Sequence, residues 1–574
     1  MRLVAPALVI VAALSCSLAS PGSAAFAQSP SAQSQNAKSP SAQAPRLDLD
    51  KVFGSIAPTG PGCVAGVAIA GMSSTIAAYG QADLEHPAPL TPDSIVETGS
   101  LAKQFTAAAM MLLVQDGKLS LDDDIRRYLP EMPDYGTPIT IRHLLTHTSG
   151  LREQWSLLAL AGNPPGTQVH SQGVILDLAS RQGGLNFKPG AEFFYTNTNY
   201  ALAAMIIERV SGGTLQQFTD QRLFQPLGMS RTRWREDFHT VVPGRATAYA
   251  PTDAGFVANM PFTNVYGNGG LLTTIGDLLR WNAFLDKPSD LPGGQALAAA
   301  LQTPGRLSDG APLEYGLGLE ITRDHGRRLV SHSGSTGGYK TWLGRYPDER
   351  ISIAVMCNNG GIDPVEKGEQ VAEQALLATG HARAEAVVSA PKAIAAVQMA
   401  TPDLALYQGL FRNPVTGQLA QVDVVEGQLT MQQGAPQGLT PLGVDRFQRA
   451  DGDIVRFAPR GAAPAEFTLS HGQASQRFVA VRTAQNDSAT LAAYVGSYYS
   501  AELDTRITVV RQGDALVMRQ PFAVEWALTP SFADAFTTRL RGTTTFVFER
   551  TADGQIKGFS AWANGVRDLA FVRQ

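Results

Sequence analysis

The carboxyl-terminal third of the chain contains an internal repeat, which limits what that region can fold into. Tyr407-Gln408-Gly409 recurs as Tyr494-Val495-Gly496, and Leu429-Thr430-Met431 recurs as Leu516-Val517-Met518. Both offsets are 87 (407 to 494 and 429 to 516). Each copy consists of short alternating segments separated by Gly, Asp or Asn turns, which predicts antiparallel strands closing into a small barrel. Two copies are too few for a solenoid.

The remaining chain is long enough for a separate, larger domain. At 574 residues the protein exceeds what one hydrophobic core supports, and its 44% hydrophobic and 17% charged residues are typical of a globular protein. Strand-like runs at both ends of the middle region, with helical runs between them, predict an α+β domain whose antiparallel sheet is built from its two termini. The expected segments are a signal peptide (1–27), a disordered linker (28–46), the α+β domain (47–380), a second linker (381–402) and two β-barrel-like modules (403–485 and 486–574).

The first residues have the pattern of a secretory signal. Arg2 precedes an apolar run over 3–19, and Ala25-Phe26-Ala27 forms a small-residue cleavage site. The apolar run, interrupted by Pro6, is short for a membrane-spanning helix, so a membrane anchor is the less favoured alternative. Lipid attachment through Cys16 is a further, less favoured alternative. We expect a periplasmic or secreted protein without stable membrane insertion.

Two cysteines remain after the signal, Cys63 and Cys357. Each lies in a strand-like segment. In an oxidising compartment they form a disulfide if the two strands are neighbours, and are otherwise two buried free thiols.

The charge pattern and motifs exclude several classes of partner. A net charge of −4 without Lys/Arg clusters argues against nucleic acid as a partner. His143 and His147 have helical spacing but no third metal ligand, and Gly267-Asn268-Gly269-Gly270 lacks the Gly-Lys-Ser/Thr ending of a phosphate loop. We therefore expect no metal and no cofactor, and a small molecule or a short peptide or ester as substrate. The sequence does not define an oligomeric state.

A candidate nucleophile and base stand at the start of an apolar stretch. Ser100 and Lys103 are three residues apart at the head of the helical run over 102–115, and residues with this spacing share one helix face. The amine can then reach the hydroxyl, and the helix amino terminus favours a developing alkoxide. The same spacing at Ser389 and Lys392 has no such context.

A phenol and an amide precede a second helical run. Tyr195 can relay a proton, and Asn197 can contact a substrate carbonyl or hold Lys103. Tyr266 and Asn268 repeat the spacing inside a Gly-rich loop, where a side chain is less rigidly positioned. The pattern leaves open whether Lys103 or Tyr195 is the base.

The third element is His332-Ser333-Gly334-Ser335, which comes just before a strand-like segment at 339–346. An extended backbone there can run along a substrate. The N–H of Ser335, with that of Ser100, can then bind an oxyanion.

With these three elements in this order, the chain resembles the penicillin-recognising serine hydrolases, in particular the class C β-lactamase-like branch with esterases, D,D-carboxypeptidases and D-aminopeptidases. The segments 143–151 (His-Leu-Leu-Thr-His-Thr-Ser-Gly-Leu) and 269–274 (Gly-Gly-Leu-Leu-Thr-Thr) are similar to landmarks of that group. The resemblance covers about residues 50–375. It implies Ser100 as nucleophile, Lys103 as proton acceptor, Tyr195 as partner in proton transfer, and an acyl-enzyme intermediate. The paired β modules are also similar to the architecture of the D-aminopeptidases.

One position departs from the β-lactamase pattern. His332 stands where β-lactamases carry a lysine that grips the substrate carboxylate, and histidine is mostly neutral at pH 7. We therefore expect an exported serine hydrolase that prefers esters, amides or amino-terminal D-peptides. The alternatives are a true class C-type β-lactamase or D,D-carboxypeptidase, and a non-catalytic binding protein with the same fold.

Overall fold

The computed structural model describes residues 47–574, except 289–290, 382–396, 398, 434, 459–464, 472–473, 485–487 and 522–523. The predicted signal peptide, the linker over 28–46 and most of the linker over 381–402 lie outside the described residues. In the first domain the strands are β1 Cys63–Ile69, β2 Thr75–Tyr79, β3 Gln81–Asp83, β4 Ala88–Pro89, β5 Val96–Glu97, β6 Arg233–Trp234, β7 Tyr249–Thr252, β8 Gly255–Ala258, β9 Leu271–Thr273, β10 Glu320–Asp324, β11 Arg327–Thr336, β12 Tyr339–Tyr346 and β13 Ile351–Cys357. The helices there are α1 Asp50–Phe53, α2 Ala102–Gln115, α3 Ile141–Leu145, α4 Gln154–Leu160, α5 Gln172–Ser180, α6 Asn197–Ser211, α7 Leu215–Thr219, α8 Ile275–Asp286, α9 Gly294–Leu301 and α10 Pro364–Ala378.

A six-stranded antiparallel sheet organises the first domain, in the order β10-β11-β12-β13-β1-β2. Its strands come from both ends of the domain, as the sequence predicted. The central strands β1 and β13 are buried on both faces because successive side chains point to opposite sides. Val64 and Met356 join the core shared with the helical region, whereas Ala65 and Val355 join the core beneath α10. The sheet is therefore covered by helices on both faces, and the last residues of β11 approach the backbone of Gly99.

The two cysteines lie in adjacent strands. Cys63 of β1 is paired in register with Cys357 of β13, and their sulfur atoms are bonded. The bond joins the first and last strands of the domain, which are 294 residues apart in sequence.

Two closed eight-stranded antiparallel barrels follow, as the repeat predicted. A short helix precedes each barrel: α11 Thr401–Leu404 and α12 Ser488–Ala492. The strands of the first are β14 Gly409–Arg412, β15 Leu419–Val425, β16 Gln428–Gln432, β17 Pro436–Gly443, β18 Arg446–Arg449, β19 Ile454–Phe457, β20 Glu466–His471 and β21 Ala474–Val481. Those of the second are β22 Gly496–Ser500, β23 Thr505–Gln512, β24 Ala515–Arg519, β25 Glu525–Phe532, β26 Ala535–Arg539, β27 Thr543–Arg550, β28 Ile556–Ala563 and β29 Val566–Arg573.

The repeat preserves one tertiary hydrogen bond. Tyr407 donates to Asp445 in the first barrel, and the equivalent Tyr494 donates to Asp534 in the second, each at 2.8 Å. Both aspartates have a positive φ, which is uncommon outside glycine. The repeat therefore encodes a specific turn as well as the alternation of strands.

The second barrel packs against the first domain through the turn between β28 and β29. The carbonyls of Asn564 and Gly565 accept hydrogen bonds from Ser156 Oγ (2.7 Å) and from the backbone N–H of Glu153 (2.8 Å). Arg567 in β29 forms an ion pair with Glu192. Apolar residues of this barrel belong to the same buried cluster as the helical part of the first domain, whereas the first barrel has its own core.

Within the described residues, no helix combines the length and apolar character that a membrane span requires.

Candidate active site

Ser100 lies in a 3-10 turn, Gly99–Leu101, that leads directly into α2. The end of β11 crosses this turn at very short range. A side chain at Gly334 would lie 1.9 Å from the carbonyl oxygen of Thr98, and one at Gly99 would lie 2.6 Å from the backbone nitrogen of Ser335. Both glycines are therefore required by close approach of the two backbones. The approach brings the N–H groups of Ser100 and Ser335 to the same region, as an oxyanion site requires.

Lys103 is fully buried one turn further along α2. Its Nζ lies 3.0 Å from Ser100 Oγ, 2.9 Å from Asn197 Oδ1 and 2.7 Å from the carbonyl oxygen of Asn268. Burial lowers the pKa of Lys103 to about 7, and the nearby charge of Glu153 opposes this shift. A neutral amine can donate its two N–H groups to the two carbonyl oxygens. Its lone pair then remains for the Ser100 hydroxyl.

Asn197, the first residue of α6, is held by Glu153. Its Nδ2 donates to Glu153 Oε1 at 2.6 Å, so its Oδ1 faces Lys103. The other carboxylate oxygen accepts from the backbone N–H of Trp155 and caps α4. Burial raises the pKa of Glu153, and the hydrogen bonds from Asn197 and Trp155 oppose the shift.

Tyr195 extends its hydroxyl toward Ser100 from the segment before α6. Burial raises its pKa, and the Ser100 hydroxyl opposes this shift. The two oxygens do not meet the geometry of a hydrogen bond, and the Tyr195 hydroxyl is buried without a partner among the described residues. The ring is held by His147, with ring centroids 4.3 Å apart. A rigid, neutral phenol with no partner of its own is placed to share a proton with a bound substrate.

His332 lies in the second half of β11, so the predicted His332–Ser335 element is part of the strand. Its Nδ1 contacts the carbonyl oxygen of Ser333 at 2.6 Å, and its Nε2 lies 3.2 Å from the Tyr315 hydroxyl. A carbonyl only accepts, so Nδ1 carries the proton and Nε2 accepts from Tyr315. Burial, reinforced by the charge of Lys103, lowers the pKa of His332 to about 4. The imidazole is neutral at pH 7.

Open space lies on two sides of Ser100. A cavity of about 1020 Å³ is lined by all the predicted site residues except Lys103 and Asn197. A second cleft of about 390 Å³ shares Ser100 and Ser335, and is lined by Asn197 and by Arg541 of the second barrel. The nucleophile therefore stands between two compartments that can take the two halves of a substrate.

The structure brings all eight predicted site residues together and separates the competing motif. The Tyr266 hydroxyl donates to Glu208 at 2.8 Å, away from Ser100. Its neighbour Asn268, by contrast, contacts Lys103 through its backbone carbonyl. Ser389 and Lys392 lie outside the described residues.

Two contributing residues were missed by the sequence analysis. Glu153 has the pattern of a helix cap, and Tyr315 that of an ordinary core aromatic, and each does fill that structural role. Its position two residues after the 143–151 landmark is the one sequence signal for Glu153.

The comparisons with known proteins agree with this geometry. A family model described as Beta-lactamase matches residues 57–376, more than half of the chain. A D-aminopeptidase of Brucella anthropi is 32% identical over 309 residues, and a D-aminopeptidase of Brucella canis is 31% identical over 308. Each alignment covers 53% of this chain, and 58% and 57% of the relatives' lengths.

Among solved structures, the octameric penicillin-binding protein homologue from Pyrococcus abyssi aligns with a TM-score of 0.50 and 24% identity. The alignment covers 74% of this chain and 96% of that one. This likeness describes the fold.

Proposed function

The chain belongs to the beta-lactamase family of serine hydrolases, and we propose that it cleaves amides or esters through an acyl-enzyme on Ser100, with D-amino peptides or esters as the favoured substrates. The single observation that carries the proposal is the buried amine of Lys103 lying 3.0 Å from Ser100 Oγ.

In the acylation step, Ser100 Oγ attacks the substrate carbonyl carbon and its proton passes to Lys103 Nζ. Depression of the Lys103 pKa to about 7 supports this role, because a substantial fraction of the amine is then neutral at physiological pH. The raised pKa of Tyr195 makes a resting phenolate unfavourable. We therefore assign the base to Lys103.

The carbonyl oxygen becomes an oxyanion, for which the N–H groups of Ser100 and Ser335 are the candidate donors. When the bond to the leaving group breaks, the leaving nitrogen or oxygen takes a proton from the Tyr195 hydroxyl, and the Lys103 ammonium replaces that proton. Water then attacks the ester carbon and gives a proton to the neutral base. The bond between the ester carbon and Ser100 Oγ then breaks, this oxygen takes the proton back from Lys103, and the acid is released.

The neutrality of His332 supports the substrate preference. A lysine at this position would form an ion pair with a substrate carboxylate, and an uncharged imidazole does not. The D-aminopeptidase relatives support amino-terminal D-peptides in particular, although the chain spans only about 58% of their length.

We also propose export to an oxidising compartment. The bond between Cys63 and Cys357 supports this, since structural disulfides persist mainly outside the cytosol. Mass spectrometry of the amino terminus of protein from the periplasm or medium tests it. An uncleaved chain confined to the cytosol contradicts it.

Labelling with a fluorophosphonate, followed by intact-mass spectrometry, tests the central proposal. One adduct is expected on the parent protein and none on Ser100→Ala. The matched control is Thr322→Val, which removes a hydroxyl from the wall of the same cavity and should leave labelling in place. Absence of an adduct on the parent protein overturns the hydrolase proposal. Faster turnover of a chromogenic cephalosporin than of D-alanyl p-nitroanilide would favour the β-lactamase alternative.

A further inference from the structure

One carboxylate in the larger cavity has no role in the mechanism above. Glu320, the first residue of β10, lines the same 1020 Å³ space as Ser100. Its side chain is partly buried, and no hydrogen bond or ion pair joins its carboxylate to another described residue. Removing a carboxylate from water without a partner is unfavourable, so such groups concentrate where a ligand supplies the missing partner.

The other charged or titratable groups of the cavity are engaged or exposed. Lys340 Nζ donates to Ser335 Oγ at 2.9 Å, and the Asp363 carboxylate caps α10 by accepting from Val365 N–H. His332 and Tyr315 contact each other, and the Tyr195 hydroxyl faces Ser100. Glu314 also lines the cavity, but it is exposed to solvent.

Glu320 lies close enough to the reacting groups to matter for a bound substrate. Its negative charge contributes to the raised pKa of both Tyr195 and Tyr315. A positive group placed beside Glu320 therefore sits in the cavity that Ser100 and Tyr195 also line.

We propose that Glu320 is the counter-ion for a primary ammonium group on the acyl part of the substrate, so that this cavity selects cationic substrates. The inference rests on the proposed hydrolase function, and it names the residue that selects the substrate class. The ammonium can be the α-amino group of an amino-terminal residue or the amine of a basic side chain. Both have the same charge and the same donors.

The test compares the parent protein with Glu320→Gln and with Glu314→Gln, the matched control at the rim of the same cavity. D-alanyl p-nitroanilide carries an α-ammonium, and N-acetyl-D-alanyl p-nitroanilide does not. N-acetyl-D-lysyl p-nitroanilide carries only a side-chain ammonium, and its norleucyl analogue carries none. For each pair, the measured quantity is kcat/KM of the charged substrate divided by that of the neutral one.

In Glu320→Gln we expect one of the two ratios to fall by about tenfold or more, mainly through KM. Glu314→Gln should keep both ratios within about twofold. The affected pair identifies the source of the ammonium. Burial raises the pKa of Glu320. In the parent protein, KM for the charged substrate should therefore rise as the pH falls through this pKa and the carboxylate loses its charge. The rise should be absent in Glu320→Gln.

Unchanged ratios in a Glu320→Gln protein that is still labelled by fluorophosphonate overturn the inference and leave the hydrolase proposal intact. If no p-nitroanilide is hydrolysed, protection of Ser100 from labelling is compared between D-alanine amide and its N-acetyl form. Equal protection by the two overturns the inference, and stronger protection by the amine that Glu320→Gln abolishes supports it. Failure of the parent protein to be labelled overturns both proposals.

Discussion

Glu153 Oε1 accepts a hydrogen bond of 2.6 Å from Asn197 Nδ2, and this bond fixes the amide whose oxygen faces Lys103. The backbone N–H of Glu153 donates to the carbonyl oxygen of Gly565 in the second barrel at 2.8 Å. One residue thus links the proposed base, through its carboxylate, to a turn of a different domain, through its backbone N–H.

The activity should depend on the protonation of Lys103. Below pH about 7 the amine gains a proton and can no longer accept one from Ser100, so kcat/KM should fall as the pH decreases. The rate of fluorophosphonate labelling should fall with decreasing pH in the same way, and it is measured from about pH 5 to about pH 9 to bracket this pKa. We call this decline the acidic limb of the pH profile. A labelling rate that is flat across pH 7 would contradict the assignment of Lys103 as base.

Glu153→Gln should move this limb toward lower pH. The negative charge of Glu153 raises the pKa of Lys103, and glutamine keeps an oxygen for Asn197 while removing the charge. The bond to Trp155 N–H weakens, which should cost about 1 kcal/mol of unfolding free energy. Denaturant titration and the pH profile separate the two effects. A limb that stays in place or moves to higher pH argues against electrostatic tuning.

Tyr195→Phe should slow acylation by about 10²- to 10⁴-fold without lowering the melting temperature. The phenylalanine ring keeps the contact with His147, and the lost hydroxyl has no hydrogen-bond partner among the described residues. Tyr266→Phe is the matched control: it loses a hydrogen bond to Glu208 but should keep its activity. Equal loss of activity in the two variants would mean that Tyr195 has no special role.

Gly565→Ala should impair the site from the second barrel. A methyl group there would lie 2.5 Å from Glu153 Cβ and 2.7 Å from the Phe194 ring, so the turn must withdraw. Gly554→Ala is the matched control: Gly554 also has a positive φ, 87° against 72° for Gly565, but lies in another turn of that barrel with nothing within 4 Å of an added methyl group. Both variants should lose stability, but only Gly565→Ala should lower the labelling rate of Ser100. Parallel rates would show that the docked turn does not support the site.

Replacing Cys63 and Cys357 together by alanine should destabilise the protein by up to about 5 kcal/mol, because the bond closes a long loop of the unfolded chain. The reacting groups lie elsewhere, so labelling at low temperature should persist. Unfolding curves with and without reductant test this. A parent protein insensitive to reductant, with no disulfide by mass spectrometry, would contradict the bond.

The sequence predicted the elements whose signals are local. The helix over 102–115 matches α2 because its apolar residues are buried over nearly its whole length, and a spacing of three fixes Ser100 and Lys103 on one face. The sheet and barrels followed from alternation and the repeat. Tyr195 was favoured over Tyr266 for its rigid position; its hydroxyl faces Ser100, whereas the Tyr266 hydroxyl donates to Glu208.

Other parts of the site depend on contacts between distant segments, which no local pattern specifies. Glu153 stands directly before α4, where the sequence indicates no more than a helix cap. Its second role, holding the Asn197 amide, arises only because α6 brings Asn197 beside it. Asn564-Gly565 predicts a tight hairpin turn. Nothing in it indicates that its carbonyls meet α4 of the first domain.

The position of that turn has a consequence for biosynthesis. Asn564 lies 408 residues after Ser156, so the ribosome completes Ser100, Lys103 and Asn197 long before it makes the hairpin that braces them. A nascent chain holds the reacting groups while the N–H of Glu153 still lacks its acceptor. The fully aligned site therefore forms only after the second barrel has been translated and has folded, which delays full activity until then.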